Sequence, residues 1–301
     1  MKKLIPFLIL AGLLFTQGAQ AVVSAGVSAA ATTGATFATT LSTTGVTTQA
    51  SGSAFYVDVV IDYFGASPQT PNLPTDNKGN TYVHIGTQLV DGSGRTVDRY
   101  YCQGGTGGTG HTITSTVPTS ALYTIAFIEI KGAASSGLLD TGGSNSNVGF
   151  VGSPYSSGSV TISPPATYGE MMISVFSTEY NNASITFAEA NGFTIQQTQV
   201  VGNANYPAIA VGTKVVTSNG TYSASWTDGN GASQIAIAID SFLGGTGGSS
   251  CSSTGYSTTN GGGAVPTSGS GHFWQLGGTN SSVNCSSNPF YKLSNGSFVT
   301  N

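Results

Sequence analysis

Three groups of side chains in this 301-residue chain carry chemical potential, and each also has a plainer use. The acids Asp58, Asp62, Asp98, Glu129, Glu170 and Asp240 fall in stretches of apolar alternation. Two carboxylates about 5–10 Å apart across a cleft would make a glycosidase pair. No spacing marks such a pair, and an isolated acid on the wet face of a strand needs only water. No Gly-x-Ser-x-Gly elbow opens a helix either. The catalytic set is therefore empty and the chain reads as a non-enzyme. Asp76, Asn77 and Asn80, with Asp91, could offer oxygens to Ca2+. The same residues around Gly79 also spell a self-bonded Asx turn that needs no ion, and this reading is preferred. His84, His111 and His272 lie apart and lack zinc-ligand spacing.

Aromatic rings are the second group. A ring beside amide side chains is how a protein takes up a sugar face, and loops are where such residues concentrate on a rigid scaffold. Tyr155, Tyr180 beside Asn181, and Tyr206 before Pro207 lie near turn signals and are the candidate ligand-binding residues. Trp226 alternates with Tyr222 and Ala224 and reads as core. Cysteines are the third group: Cys251 and Cys285 are expected to form a disulfide across a Gly/Ser-rich tail. Cys102, at the end of a strand, reads as a buried thiol.

These residues must be positioned by strands. In residues 53–64, Phe55, Val57, Val59, Ile61 and Tyr63 share one face, and Tyr56, Asp58 and Asp62 the other. That period of two predicts a strand packed on one side and wet on the other. Pro68, Pro71 and Pro74 then interrupt the ladder. Further strands are predicted over 35–41, 82–89, 95–102, 111–116, 122–131, 159–163, 170–177, 184–189, 193–201, 208–216, 220–227 and 233–242. Residues 122–131 carry bulk on both faces, which predicts a central strand. The Gly-rich stretch 103–110 predicts a flexible loop. The fold class is all-β: an antiparallel, jelly-roll-like sandwich with a small Cys-containing C-terminal extension.

Composition bounds the function. A basic start, an apolar run over 4–15 and Ala19-Gln20-Ala21 predict a secretory signal peptide over 1–21, and so a secreted or cell-surface protein. A sandwich domain is expected over 22–243, a Gly/Ser linker over 244–250 and the extension over 251–301. The run over 4–15 is short for a bilayer, and no membrane span is expected. With a net charge of −4 and eight Lys and Arg in all, no basic patch is available to neutralise phosphates, which argues against nucleic acid.

Asp76-Asn-Lys-Gly-Asn-Thr-Tyr82, Arg99-Tyr-Tyr-Cys102 with its Gly loop and His111-Thr-Ile-Thr114, and Ile125-Ala-Phe-Ile-Glu-Ile-Lys-Gly132 follow one another in the chain. So do Gly192-Phe-Thr194, Gly220-Thr-Tyr-Ser-Ala-Ser-Trp-Thr227 and Ile235-Ala-Ile-Ala-Ile-Asp-Ser-Phe242. Over residues 23–243 this order resembles a widespread, largely uncharacterised secreted bacterial β-sandwich module found in surface and extracellular proteins. The resemblance implies a non-catalytic interaction or structural module and hands over no functional residues. The expected function is surface or matrix binding, with a polysaccharide or cell-surface component as partner. A self-associating subunit of an extracellular polymer such as a pilus or sheath is the alternative, and glycoside hydrolysis a third reading.

Overall fold

The computed structural model describes residues 22–62, 67–140, 144–149, 153–164, 168–180, 185–200, 206–229 and 234–245, and six short strands beyond them. The first part of the chain supplies β1 (Ser24–Thr32), β2 (Ala38–Ser42), β3 (Ser53–Asp62), β4 (Thr75–Asp76), β5 (Val83–His84), β6 (Leu89–Val90), β7 (Thr96–Gly105) and β8 (Ile113–Lys131). The second supplies β9 (Asn145–Gly149), β10 (Tyr155–Ser156), β11 (Val160–Ile162), β12 (Glu170–Tyr180), β13 (Phe187–Glu189), β14 (Thr194–Gln199), β15 (Tyr206–Val216), β16 (Gly220–Tyr222), β17 (Ser225–Asp228) and β18 (Ile235–Leu243). The described residues contain no helix, and their strand pairs are antiparallel. The tail adds three two-stranded pairs: β19 (Gly255–Thr259) with β20 (Gly263–Ser268), β21 (His272–Phe273) with β22 (Ser281–Ser282), and β23 (Phe290–Lys292) with β24 (Phe298–Thr300). The expected signal peptide, Cys251 and Cys285 lie outside the described residues.

Each half of the chain builds its own sheet, the first of eight strands, with β2 and β4 paired to β8 and β6 to β7 beside its main path, and the second of five. The first runs β1-β8-β3-β7-β5 and the second β14-β15-β12-β18-β9. Alternation sends every long strand's side chains to two different cores. Tyr56, Val60, Ala126 and Ile128 of the first sheet and Ile173, Val175, Val211 and Ala238 of the second share one core. On the outer side of the first sheet, Phe55, Val57, Tyr123 and Phe127 form another with Ile113 and Val117. The N-terminal part of β8 closes that core by folding over it and pairing with β2 and β4. On the outer side of the second sheet, Phe176, Ile237 and Ile239 pack under Tyr155, Ala224 and Trp226. The strand groups β10-β17-β13 and β11-β16 supply the cover.

The wet face expected for residues 53–64 is therefore buried: every residue of β3 is covered on both sides. A period of two reports that the faces differ, and both of these face a core. The stretches predicted over 111–116 and 122–131 form one 19-residue strand, β8, despite Pro118. The register of β2 skips from Thr116 to Ala121, so the missing N–H of Pro118 interrupts no ladder. β1, built of Ala, Ser, Gly, Val and Thr, was not predicted, because its strand state comes from docking on β8 and not from propensity. The strand predicted over 220–227 breaks into β16 and β17, which join different small sheets.

Candidate functional site

Asp76 ends the two-residue β4 and turns inward, while Thr75 beside it is exposed. One carboxylate oxygen accepts the backbone N–H groups of Lys78 and Asn80, each at 3.0 Å. The other accepts Asn80 Nδ2 at 2.7 Å, the Tyr82 hydroxyl at 2.9 Å and His111 Nε2 at 3.0 Å. Burial alone would raise the Asp76 pKa; these donors hold it down at about 2. Gly79, at φ 77°, closes the turn in a conformation that side chains disfavour. Asn80 then exchanges two hydrogen bonds of 2.7 Å with the backbone of Thr106. Asn77 donates to Gly110 O at 2.7 Å and accepts Thr112 N at 3.1 Å. Asp76, Asn77 and Asn80 thus form a self-bonded turn whose oxygens already face donors, not an open cation cage. No group of three or more His, Cys, Asp or Glu suited to a metal occurs among the described residues. The expected flexible loop 103–110 is instead β7 up to Gly105 and a segment stitched to this turn.

His111 continues the network: its Nδ1 lies 3.1 Å from Thr48 Oγ1, and its ring meets Phe55 edge-on at 4.6 Å. Hydroxyl, imidazole and carboxylate in this order can polarise a nucleophile. Here the ring is 1 % and Thr48 5 % exposed, and Thr48 Oγ1 also accepts Gly108 N at 3.0 Å. The relay joins three distant segments as a clasp beneath β4. Sequence reading left His111 isolated because residues 48, 76 and 111 have no local spacing. Its position at the head of an alternating strand was the available signal.

The acids read as solvated are buried in the folded chain. Asp240 on β18 takes Arg99 Nη1 from β7 with both oxygens, at 2.6 and 2.7 Å, and also meets the hydroxyls of Tyr56 and Ser144. Burial would lower the Arg99 pKa, but Asp240, Tyr56 and Asp58 together raise it. Asp58, fully buried beside this pair, has its pKa pushed well up by desolvation. Asp98 accepts His84 Nε2 at 2.9 Å and Gln88 Nε2 at 2.8 Å, and burial raises its pKa. Glu129 accepts Gln49 N at 2.7 Å, the Ser53 hydroxyl at 2.8 Å and Val27 N at 3.2 Å, filling the bulge in β1 beside Gly26. Glu170 rises to about 7, chiefly through burial, with the Asp140 charge adding to it and the Ser241 hydroxyl opposing it.

Tyr155 is not a loop platform. It is 1 % exposed, stacks on Phe176 at 5.3 Å and donates its hydroxyl to Asp228. Its backbone pairs opposite Trp226, so the turn that seemed to present it is the lid of the outer core. Trp226 is core as predicted, its indole N–H on Ser174 Oγ at 2.9 Å. Tyr180 and Tyr206 are register partners at one end of the β12–β15 pair. Their side chains, and Asn181, lie outside the described residues. Cys102 is a buried free thiol, which desolvation raises to about 11.

What the described surface offers is defined by an inversion of charge. Among the charged residues whose side chains are described none is fully exposed: Asp76, Lys78, Lys131, Asp140, Glu189 and Lys214 are partly buried, and Asp58, Asp62, Asp91, Arg95, Asp98, Arg99, Glu129, Glu170, Asp228 and Asp240 are buried. Hydroxyls, amides, glycine and a few apolar side chains such as Phe37 and Leu73 are left outside. No helix of the described residues is long and apolar enough to cross a membrane. No family model, no curated protein and no solved structure matches the chain.

Proposed function

We propose that the chain is an exported, non-catalytic β-sandwich of jelly-roll kind that binds an extracellular surface or matrix. The observation that carries this reading is the sparse surface charge: of the charged side chains described, ten are buried and six partly buried, and none is fully exposed. Such a surface has little field with which to steer an ion or a polyanion. Its contacts are hydrogen bonds from neutral groups, which suits a neutral, polar partner. The signal-like N-terminus and the resemblance of residues 23–243 to a surface module point the same way. The test is binding of residues 22–301 to a panel of polysaccharides and cell-wall preparations at low and high salt. Saturable binding that salt leaves unchanged is expected. Binding only to anionic polymers, abolished by salt, would refute it, as would turnover of any of them.

A second reading, a self-associating structural subunit, rests on β9. This edge strand pairs with β18 and carries neither Lys nor Pro, the usual guards against edge-to-edge pairing. Sedimentation over a concentration series separates the readings, because a subunit grows and a binding module stays one size.

A further inference from the structure

We propose that the outer face of the β2–β8–β4 layer is where the chain meets its partner, and that the partner is a neutral polysaccharide. The inference rests on the binding-module reading and gives it a place and a ligand class. Thr40 and Ser42 on β2 lie opposite Thr116 and Thr114 on β8, and Thr75 on β4 lies opposite Thr114 from the other side. Ile113, Ser115 and Val117 alternate with these threonines and point into the core beneath. The hydroxyls therefore share one outward face, with rows about 4.8 Å apart across strands and about 7 Å apart along them. Ser42 and Thr114 hydroxyls lie 2.7 Å apart, and Asn72 Nδ2 donates to Thr116 Oγ1 at 2.9 Å.

Two exposed apolar side chains lie in the segments that lead into β2 and β4. Phe37, just before β2, is 52 % exposed, and Leu73, two residues before Thr75, is 54 % exposed; they are the most exposed large hydrophobics described. Pyranose rings need both elements, since they carry hydroxyls around the rim and C–H groups on their faces. Among the described residues an anionic polymer would find no fully exposed cation here: Lys78, two residues after β4, is partly buried with its Nζ on Thr109 O. The acid of this layer, Asp76, is turned inward by its clasp. β-branched threonines on a backed sheet have few rotamers to lose, so the face is ordered before it binds.

The experiment uses residues 22–301 in depletion assays on insoluble cellulose, chitin and an acidic polysaccharide. The combined variant Thr40→Val, Thr114→Val, Thr116→Val keeps shape and strand propensity while removing three hydroxyls. Thr161→Val with Thr221→Val removes an exposed hydroxyl pair, 3.0 Å apart, from the opposite outer layer and serves as control. Phe37→Ser with Leu73→Ser changes only exposed side chains, which guards against an unfolded first variant. The expected result is neutral-polymer binding by the parent and the control, weakened at least about tenfold in both variants of the β2–β8–β4 face. Unchanged binding by those two variants would overturn the face and leave the binding module standing. A parent that binds no neutral polymer would overturn both.

Discussion

Asp76→Asn tests the clasp most directly. The Asp76 carboxylate meets five donors, two on one oxygen and three on the other. An amide of the same shape has one acceptor oxygen. With that oxygen on the Lys78 and Asn80 N–H groups, its NH2 faces Asn80 Nδ2, the Tyr82 hydroxyl and His111 Nε2. The hydroxyl can rotate and the imidazole can change tautomer, but Asn80 Nδ2 is then opposed by another donor. Holding the acid at about 2 against an ordinary 3.8 corresponds to roughly 2 kcal/mol at neutral pH, allowing for its partial exposure. A buried donor left without a partner adds about 1 kcal/mol, for a total of about 3 kcal/mol. In urea denaturation at pH 7 the midpoint should fall by about 1.5 M. The sign of the pH dependence is fixed by the depressed pKa: the contribution is complete above about pH 4 and lost as pH falls through about 2. The gap between parent and variant should therefore shrink to the donor term alone between pH 4 and pH 2. A midpoint change below about 0.3 M at pH 7, or a gap that ignores pH, would refute the reasoning.

Arg99→Met leaves Asp240 buried without its cation and should cost about 3–5 kcal/mol, whereas Arg99→Met combined with Asp240→Leu should recover most of it. Chemical denaturation of the single and double variants checks this by the coupling between them. Glu170 is raised to about 7, so folding is favoured by its protonated form and that contribution is lost as pH rises from about 4.5 through 7. Glu170→Gln should match the parent in melting temperature near pH 4.5 and exceed it at pH 8, by an amount equivalent to about 2 kcal/mol. Cys102, buried with its thiol at about 11, should resist a soluble thiol reagent at pH 8 in the native chain and react at once in denaturant.

The turn at Asp76-Asn-Lys-Gly-Asn80 was legible because an Asx turn is made by neighbours in sequence. Most long strands were legible too, since alternation of Val, Ile, Phe and Tyr is written residue by residue. Ile235, Ile237 and Ile239 on one face against Ala236, Ala238 and Asp240 on the other appear in β18 as the pattern predicts. The burial of Asp58, Asp240, Glu129 and Tyr155 was not legible. Alternation says that two faces differ but not whether water or another layer covers each.

What the sequence by itself determined is local: an all-β chain, its turns, the strand with a buried thiol at Cys102 and the core place of Trp226. Tertiary structure alone decided which faces are covered, that Thr48, His111 and Asp76 meet, and that Arg99 finds Asp240 141 residues away. The same packing buried most of the described charges and turned threonines of β2, β4 and β8 outward. The reason is physical: propensity and periodicity act over a few residues, whereas desolvation and charge pairing depend on which strands the layers bring together.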